Sequence, residues 1–467
     1  MLRLPPNFPI VITSICLLLL GVMIDRPVMA EELNAKNFER LDKEFQELSS
    51  HFFQTYSPHS QAIFDNMVLL EQAVKSYQKN NLNIEAIALI RANLALIKRN
   101  IDSPSVLGVL TFLLERNEWE SADQLFNTIQ QDGNKIIISN AHFAMAKYYM
   151  KRHKWQSSLD YLDGITGDLA PSDADYANLM QGVALQRLKK HRDAIRFYEK
   201  DSPISQYYFF ITLNLAVSYI RQDWWTDAHL AINKLLDQPQ KNTSNELLNR
   251  LNVVLGYSLM RQGYYRNSRE AFRNVDLHSQ YINQALLGVA LSAISQMDYV
   301  GALNAVNILK ARQGNDLPSE EAYLLLPSIY SSLEQHLTAS AGYSSAIEHY
   351  MHQIQVIEHI MASNNDLHSD IKISDNKSVL SVKEYEFNFS EQYPHSLLEN
   401  YQMIISLKDK TQNKETIKLV TKLYSNYNST LTQIARKFLN ERVAHLNNYI
   451  DQSKYGIALL YDNSQTE

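Results

Sequence analysis

The chain has 467 residues, of which 45% are hydrophobic and only 13 are Gly and 12 Pro. That length exceeds one compact core, so several domains or an elongated repeat array is expected, and so few turn-formers favour helices over strands. A net charge of −6 argues against nucleic-acid binding, where counterion release needs clustered positive charge.

The first thirty residues have the layout of a secretory signal. Arg3 precedes an almost unbroken apolar run from Pro9 to Ile24, and Val28-Met29-Ala30 offers small residues for cleavage. About fifteen apolar residues cover roughly 22 Å as helix, short of the ~30 Å hydrocarbon layer. A cleaved signal and a periplasmic location are therefore expected, with an inner-membrane anchor through residues 9–24 as the alternative. Cys16, the one cysteine, lies inside the run with more apolar residues after it, the wrong place for a lipoprotein acceptor. The mature chain from Glu31 then has no cysteine, which excludes disulfides, Cys nucleophiles and Cys-ligated zinc. Without Arg3, Asp25 and Arg26 it carries 42 basic and 49 acidic residues, a net charge of −7. Sequons at Asn242, Asn376, Asn388 and Asn428 are what chance gives in a chain rich in Asn, Ser and Thr.

From Glu31 to about Tyr56, Phe38, Leu41, Phe45, Leu48 and Phe52 recur at spacings of three and four, which predicts an amphipathic helix. Placed ahead of a repeat array, it would cap the first unit's exposed face.

The central stretch is Phe143 to Ile165, a helix, a tight turn and a second helix, with small residues Ala146 and Ser158 twelve apart. Copies follow in register. Small residues fall at Ala86, Ala122, Ser158, Ala194, Ala228, Ser268, Ala302 and Ala339, in steps of 36, 36, 36, 34, 40, 34 and 37. The polar insertion Asp237 to Asn245 accounts for the 40-residue step. Twelve earlier stand Val74, Leu110, Ala146, Gly182, Ala216, Gly256, Ala290 and Pro327. Nine earlier come Tyr77, Leu113, Tyr149, Leu185, Tyr219, Leu259, Ala293 and Tyr330. The turn position three earlier is Trp119, Trp155, His191, Trp225, Tyr265, Tyr299 and His336 from the second unit on. Small residues twelve apart let two helix axes approach closely. Ser103-Pro104 predicts a serine-capped helix start, and Pro171, Pro203, Pro239 and Pro318 fall between units.

This pattern resembles the tetratricopeptide repeat (TPR) family, whose period is 34 residues. The resemblance implies an all-α, right-handed superhelix of antiparallel helix pairs, together with a binding role. The expected organisation is a signal peptide at 1–30, a capping helix within 31–65 and a superhelix of about eight units at 66–362. A polar linker at 363–394 and a helical region at 395–467 complete it. The helix after Leu337 is expected to run to about Met361. The last is expected from Ser429 to about Leu460, its stripe (Leu431, Ile434, Phe438, Val443, Leu446, Ile450, Ile457, Leu460) facing the superhelix or another chain.

In TPR proteins the first helices of successive units line a concave groove. Seven residues before the small position stand Lys151, Arg187, Arg221 and Arg261. Lys147 and Arg250 lie nearby, with Tyr176, Phe210 and Tyr257 among them. Such a basic, aromatic-lined groove suits an acidic peptide, a C-terminal carboxylate or an anionic glycan. The same cations at helix C-termini also complement the dipole, so a solvated edge is the competing reading. Glu348, His349 and His352 share a helix face but match neither zincin order, and a solvated face is expected there. We find no P-loop, no GxSxG and no cofactor motif. About 105 residues follow the repeats, with Gly456 their one glycine, too little for the lysozyme-like domain of a lytic transglycosylase. The sequence thus points to a non-enzymatic interaction scaffold of the bacterial cell envelope, binding a protein or peptide. The alternatives are a glycan- or peptidoglycan-processing enzyme, which would show a carboxylate pair of raised pKa in a closed pocket, and a purely structural homo-oligomer.

Overall fold

A computed structural model describes residues 28–465 except 57–61, 201–204, 238–243, 313, 364–366, 368–369, 375–376, 383–384 and 389–392. The apolar run of the expected signal, Pro203, Pro239 and most of the 237–245 insertion lie outside the described residues. Among those described are twenty helices and three short strands. The architecture is the expected all-α TPR-type superhelix with one small sheet inserted late in the chain.

Helix α1 is Val28–Thr55. Eight helix pairs follow: α2 (Met67–Lys79) with α3 (Asn83–Ala92), then, after the short α4 (Leu94–Arg99), α5 (Pro104–Glu115) with α6 (Trp119–Asp132). Units three to five are α7 (Lys135–Lys151) with α8 (Trp155–Asp163), α9 (Pro171–Arg187) with α10 (His191–Tyr198), and α11 (Tyr208–Arg221) with α12 (Trp225–Asp237). Units six to eight are α13 (Asn245–Arg261) with α14 (Tyr265–Arg273), α15 (Ile282–Ser295) with α16 (Tyr299–Ala311), and α17 (Leu317–Ser332) with α18 (His336–Ser363).

The small residues do what their spacing demands. Ala86, Ala122, Ser158, Ala194, Ala228, Ser268, Ala302 and Ala339 all have 0% exposure. Where that residue is serine, its hydroxyl bridges the pair: Ser158 Oγ donates to Ala146 O at 3.0 Å and Ser268 Oγ to Gly256 O at 2.8 Å. A Cβ on Gly182 would lie 2.1 Å from the Tyr198 ring, so the glycine lets that aromatic lie across the helix. Alanine there would overpack the contact, at about 1–3 kcal/mol. Pro327 sits inside α17, where its ring abuts Gly342 of the facing helix.

Every unit turns in the same way. Five residues before each small residue the backbone is left-handed, at Asn81, Asn117, His153, Lys189, Asp223, Gly263, Met297 and Glu334. The next residue donates its N–H to the carbonyl nine before the small residue (Tyr77, Leu113, Tyr149, Leu185, Tyr219, Leu259, Ala293, Tyr330) at 2.8–3.1 Å. This is a Schellman ending, which satisfies a carbonyl the helix leaves orphaned. Only one of the eight left-handed residues is glycine. Met297 adopts φ 60° with its side chain 68% exposed, so Met297→Gly removes Cβ strain and no buried contact. It should raise stability by about 0.5–1 kcal/mol, seen as a higher thermal midpoint; a fall would show that the turn is not under strain.

Three expectations need correction here. Ser103 occupies the N-cap of α5, but its side chain makes no capping bond; Pro104 at the first helical position defines that start. The stretch 363–394 is not an unstructured linker, because β1 (Asp370–Ser374), β2 (Lys377–Val382) and β3 (Tyr385–Asn388) form an antiparallel meander. Val382 and Tyr385 are buried, and the Tyr385 hydroxyl donates to Gln353 Oε1 of α18 at 3.2 Å. After α19 (Ser396–Lys410), the last helix α20 spans Lys414–Gln465, 52 residues rather than thirty and about 78 Å. It packs within the chain, along α18 and against α17, α19 and α1, burying Leu431, Ile434, Leu446, Ile450 and Leu460.

Helix α1 reaches the first unit through Phe53, whose ring lies 5.8 Å from the Arg91 guanidinium of α3. It buries Leu41, Phe45, Leu48 and Phe52 as its period predicts, but packs against α6, α19 and α20. The chain's two ends thereby meet in one buried polar network. Asn117 Nδ2 donates to Asp42 Oδ1 (3.1 Å) and Asn400 Oδ1 (2.9 Å), while the Tyr148 hydroxyl donates to Asn117 Oδ1 at 2.8 Å. Asn400 Nδ2 reaches Asp42 Oδ1 and the Tyr427 hydroxyl, each at 3.1 Å, and that hydroxyl donates to Leu41 O. Unsatisfied, these groups would each cost about 1–3 kcal/mol in the interior; satisfied, they fix one register for four helices and a turn. The outcome is a stack braced at units one to three and again at unit eight.

Candidate functional site

Bracing leaves α9 to α16, units four to seven, without extensive cover from α1, α19 or α20. Most of the nine residues singled out above lie here, but the structure separates them into three groups. Tyr176, Phe210 and Arg250 remain reachable. Tyr176 is half-buried with its ring 5.0 Å from Tyr207, Phe210 is 42% exposed, and Arg250 is half-buried. Tyr257 is not a groove residue: it is 7% exposed, its ring sits 4.8 Å from Phe272, and its hydroxyl donates to Gln284 O at 2.9 Å.

The cations form the third group, at the ends of first helices beside the turns. The Arg187 guanidinium lies 5.7 Å from the Trp155 ring and that of Arg261 5.2 Å from Trp225. Each of these two cations therefore stacks on the turn aromatic of the preceding unit, an inter-unit staple at those two joints. Such contacts are worth about 0.5–1 kcal/mol at exposed sites. Arg221 is half-buried at the equivalent position. Lys147 stays on its own helix, 5.4 Å from Phe143. Lys151 faces α19: burial pushes the Glu399 carboxyl up, but the His395 hydrogen bond and the charges of Lys151 and Arg152 bring it below its usual range. His153, flat on Trp155 at 4.8 Å, is lowered to about 4 by burial, with Arg187 and His395 adding repulsion, and is neutral.

None of the nine lines either of the two cavities described. The larger, a cleft of about 1160 Å³, opens between α12, α13 and α14. Its floor is a row of carboxamides on one face of α13, Asn245, Asn249 and Asn252, and Trp225 and Tyr264 stand at its rim. Asparagine at helical spacing has the pattern of solvated surface, so the sequence carries no signal for this row. The smaller, about 480 Å³, lies between α1 and α6.

Two other groups of titratable side chains lie in units seven and eight. His349 stacks face to face on Tyr323 at 3.7 Å, and burial lowers its pKa, with Lys310 and His352 adding repulsion. Glu320 and Glu321, adjacent near the start of α17, are both raised to about 7, chiefly by burial. They do not line either cavity. Glu320 pairs with Arg442 of α20, Glu321 takes a hydrogen bond from Tyr449, and the Tyr350 hydroxyl donates to Glu320 O at 2.8 Å. The raised carboxylates are a clamp on the long helix, not a facing acid–base pair.

No family model matches the sequence, and no curated protein sequence matches it. Solved structures that resemble it include a TPR protein of Cytophaga hutchinsonii (its C-terminal part; 13% identity, 52% of this chain and 94% of that one, TM-score 0.42). The apo form of RapI is similar at 12% identity over 76% and 98% of the chains, with a TM-score of 0.39. Pseudomonas aeruginosa PilF is similar at 16% identity over 46% and 94%, with a TM-score of 0.35. At these scores the likenesses assign neither family nor function, and the TPR-type architecture rests on the chain's own eight turns.

Proposed function

We propose that the chain is an exported, non-enzymatic scaffold of the bacterial cell envelope that holds a protein or peptide partner on units four to seven. The observation that carries this reading is the bracing of the stack at both ends. It pre-forms one face and leaves it open, which lowers the entropic cost of association. The signal-like residues 1–30 support export, and among the described residues no helix is long and apolar enough to cross a membrane. Tyr176, Phe210 and Arg250 supply aromatic and cationic contacts for an acidic peptide or an anionic glycan.

The test is photocrosslinking from position 210 in the envelope fraction, with and without Arg250→Glu. Capture should fall at least tenfold with helicity kept, because about 1.4 kcal/mol suffices for that factor. Unchanged capture would defeat the role of Arg250, and a mature mass that includes residues 1–30 would restore the anchor reading.

A further inference from the structure

Carboxamides are seven of the twenty residues that line the cleft between α12, α13 and α14. Among the described residues that line it there is no Lys or Arg, and three are carboxylates, Asp237, Glu270 and Asp276. Burial holds His229 below its ordinary range, so it adds no charge at pH 7. An anion therefore finds no partner here. Two of the carboxylates are already engaged: Asp276 Oδ1 accepts from His278 N at 2.7 Å, and Glu270 lies 3.8 Å from Arg266.

Two floor residues carry hydrogen-bonding atoms that the fold does not use. Asn249 and Asn252 are each only 6% exposed. Asn249 Oδ1 accepts from Asp276 N at 3.1 Å, which leaves its Nδ2 without a partner among the described residues. Asn252 Nδ2 donates to Leu248 O at 3.1 Å, which leaves its Oδ1 in the same state. The other units show that packing does not require these two atoms. Nineteen residues before the small residue, Ser139 of unit three stands where Asn249 does, and its hydroxyl alone accepts from Gly167 N at 2.8 Å. Sixteen before, Leu286 of unit seven stands where Asn252 does, and it is buried. A donor and an acceptor of fixed sense, one helical turn apart, thus set a hydrogen-bond pattern for whatever enters the cleft.

We propose that this cleft binds a neutral oligosaccharide. Sugar hydroxyls, each donor and acceptor at once, bond Asn249 Nδ2 and Asn252 Oδ1, and the apolar face of a sugar ring lies on Tyr264, which is 59% exposed at the rim. Trp225 is the lesser platform, because the Arg261 guanidinium stands over its ring at 5.2 Å. An extended peptide fits this floor less well. A strand repeats its groups on one side about every 6.7 Å, whereas Asn245, Asn249 and Asn252 stand about 6.0 and 4.5 Å apart along the helix axis. The volume of about 1160 Å³ leaves room for several rings. The site is separate from Tyr176, Phe210 and Arg250; it goes beyond the scaffold reading and does not rest on it.

The experiment is isothermal titration calorimetry of the purified mature chain with neutral hexasaccharides of glucose, mannose, galactose and N-acetylglucosamine. Hexagalacturonate and an uncharged decapeptide of Ser, Thr and Gly serve as controls. Saturable binding of at least one neutral hexasaccharide is expected, with hexagalacturonate weaker by about tenfold or more. In N249S/N252L, whose new side chains already stand at these places in units three and seven, that binding should fall about tenfold or more with circular dichroism unchanged. Binding of none of the four sugars, undiminished binding to the double variant, or equal binding of hexagalacturonate would overturn the inference. Tighter binding of the decapeptide would give the cleft to a peptide, also overturning it. Should the double variant lose helicity, Tyr264→Ser at the exposed rim decides alone, and unchanged affinity there sinks the proposal.

Discussion

Arg442→Met should loosen the docking of α20 on α17 by about 3–5 kcal/mol at pH 8, and by clearly less at pH 5. The Arg442 and Glu320 side chains are only 8% and 6% exposed, and Arg442 Nη2 also donates to Asn315 O at 2.8 Å. Glu320 Oε2 has no hydrogen-bond partner, so nothing else described compensates the carboxylate once the guanidinium is gone. Methionine keeps the volume of the arginine stem, which confines the loss to charge and hydrogen bonding. The sign of the pH effect follows from the proton. Burial already raises Glu320 to about 7, and removing the cation that pulls it down raises it further. At pH 5 the stranded acid is neutral, and the folded state carries no buried charge; at pH 8 it must either ionise unpaired or bind a proton against the solvent. Because repeat proteins open unit by unit, the readout is amide exchange across 317–332 and 436–455 at the two pH values. Equal acceleration at both would mean that the carboxylate was not the stranded group.

The superhelix was legible because its causes are local and repeated. A side chain larger than alanine at position 194, 228 or 302 would push two helices apart, so the register shows itself as a run of small residues. The bracing elements have no such signature. Asn117 and Asn400 hydrogen-bond at 2.9 Å across 283 residues of chain, and each alone reads as a solvated asparagine. Asn117 also serves the left-handed turn of its unit, a second role that masks the first. The strands were missed because Asp375-Asn376 and Lys383-Glu384, between them, lack the glycine that marks a tight hairpin. Among the site residues, periodicity placed the cations correctly at helix ends. It could not show that Arg187 and Arg261 would turn back onto the tryptophans of the preceding units, since that contact depends on how units stack. Tyr257 failed as a groove residue for the same reason: its face is decided by Phe272 of the paired helix.

Glu321→Gln should make the protein more stable than the parent at pH 8 while leaving it nearly unchanged at pH 5. Glu321 is 3% exposed near the start of α17. Its raised pKa of about 7 comes first from burial, against which the Tyr449 hydrogen bond pulls down. Glu320 of its own helix, Tyr449 of α20 and Tyr350 of α18 are the titratable groups recorded against it. Among the described residues no cation pairs with it in the way Arg442 pairs with Glu320. The ordinary value is 4.5 and the folded value about 7, so the folded state holds the proton more tightly. That contribution is complete below 4.5 and disappears as pH rises through 7, a loss of at most about 3 kcal/mol at 1.36 kcal/mol per unit. Glutamine reproduces the neutral acid in shape and still accepts from Tyr449, but it never ionises. Urea midpoints of the two proteins should therefore coincide at pH 5 and separate by pH 8, the variant higher. Parallel curves would show that Glu321 does not titrate in this range. A buried acid that weakens a joint at neutral pH, where glutamine would hold it tighter, also means that the hold of α20 on unit eight is set below what the same packing could reach.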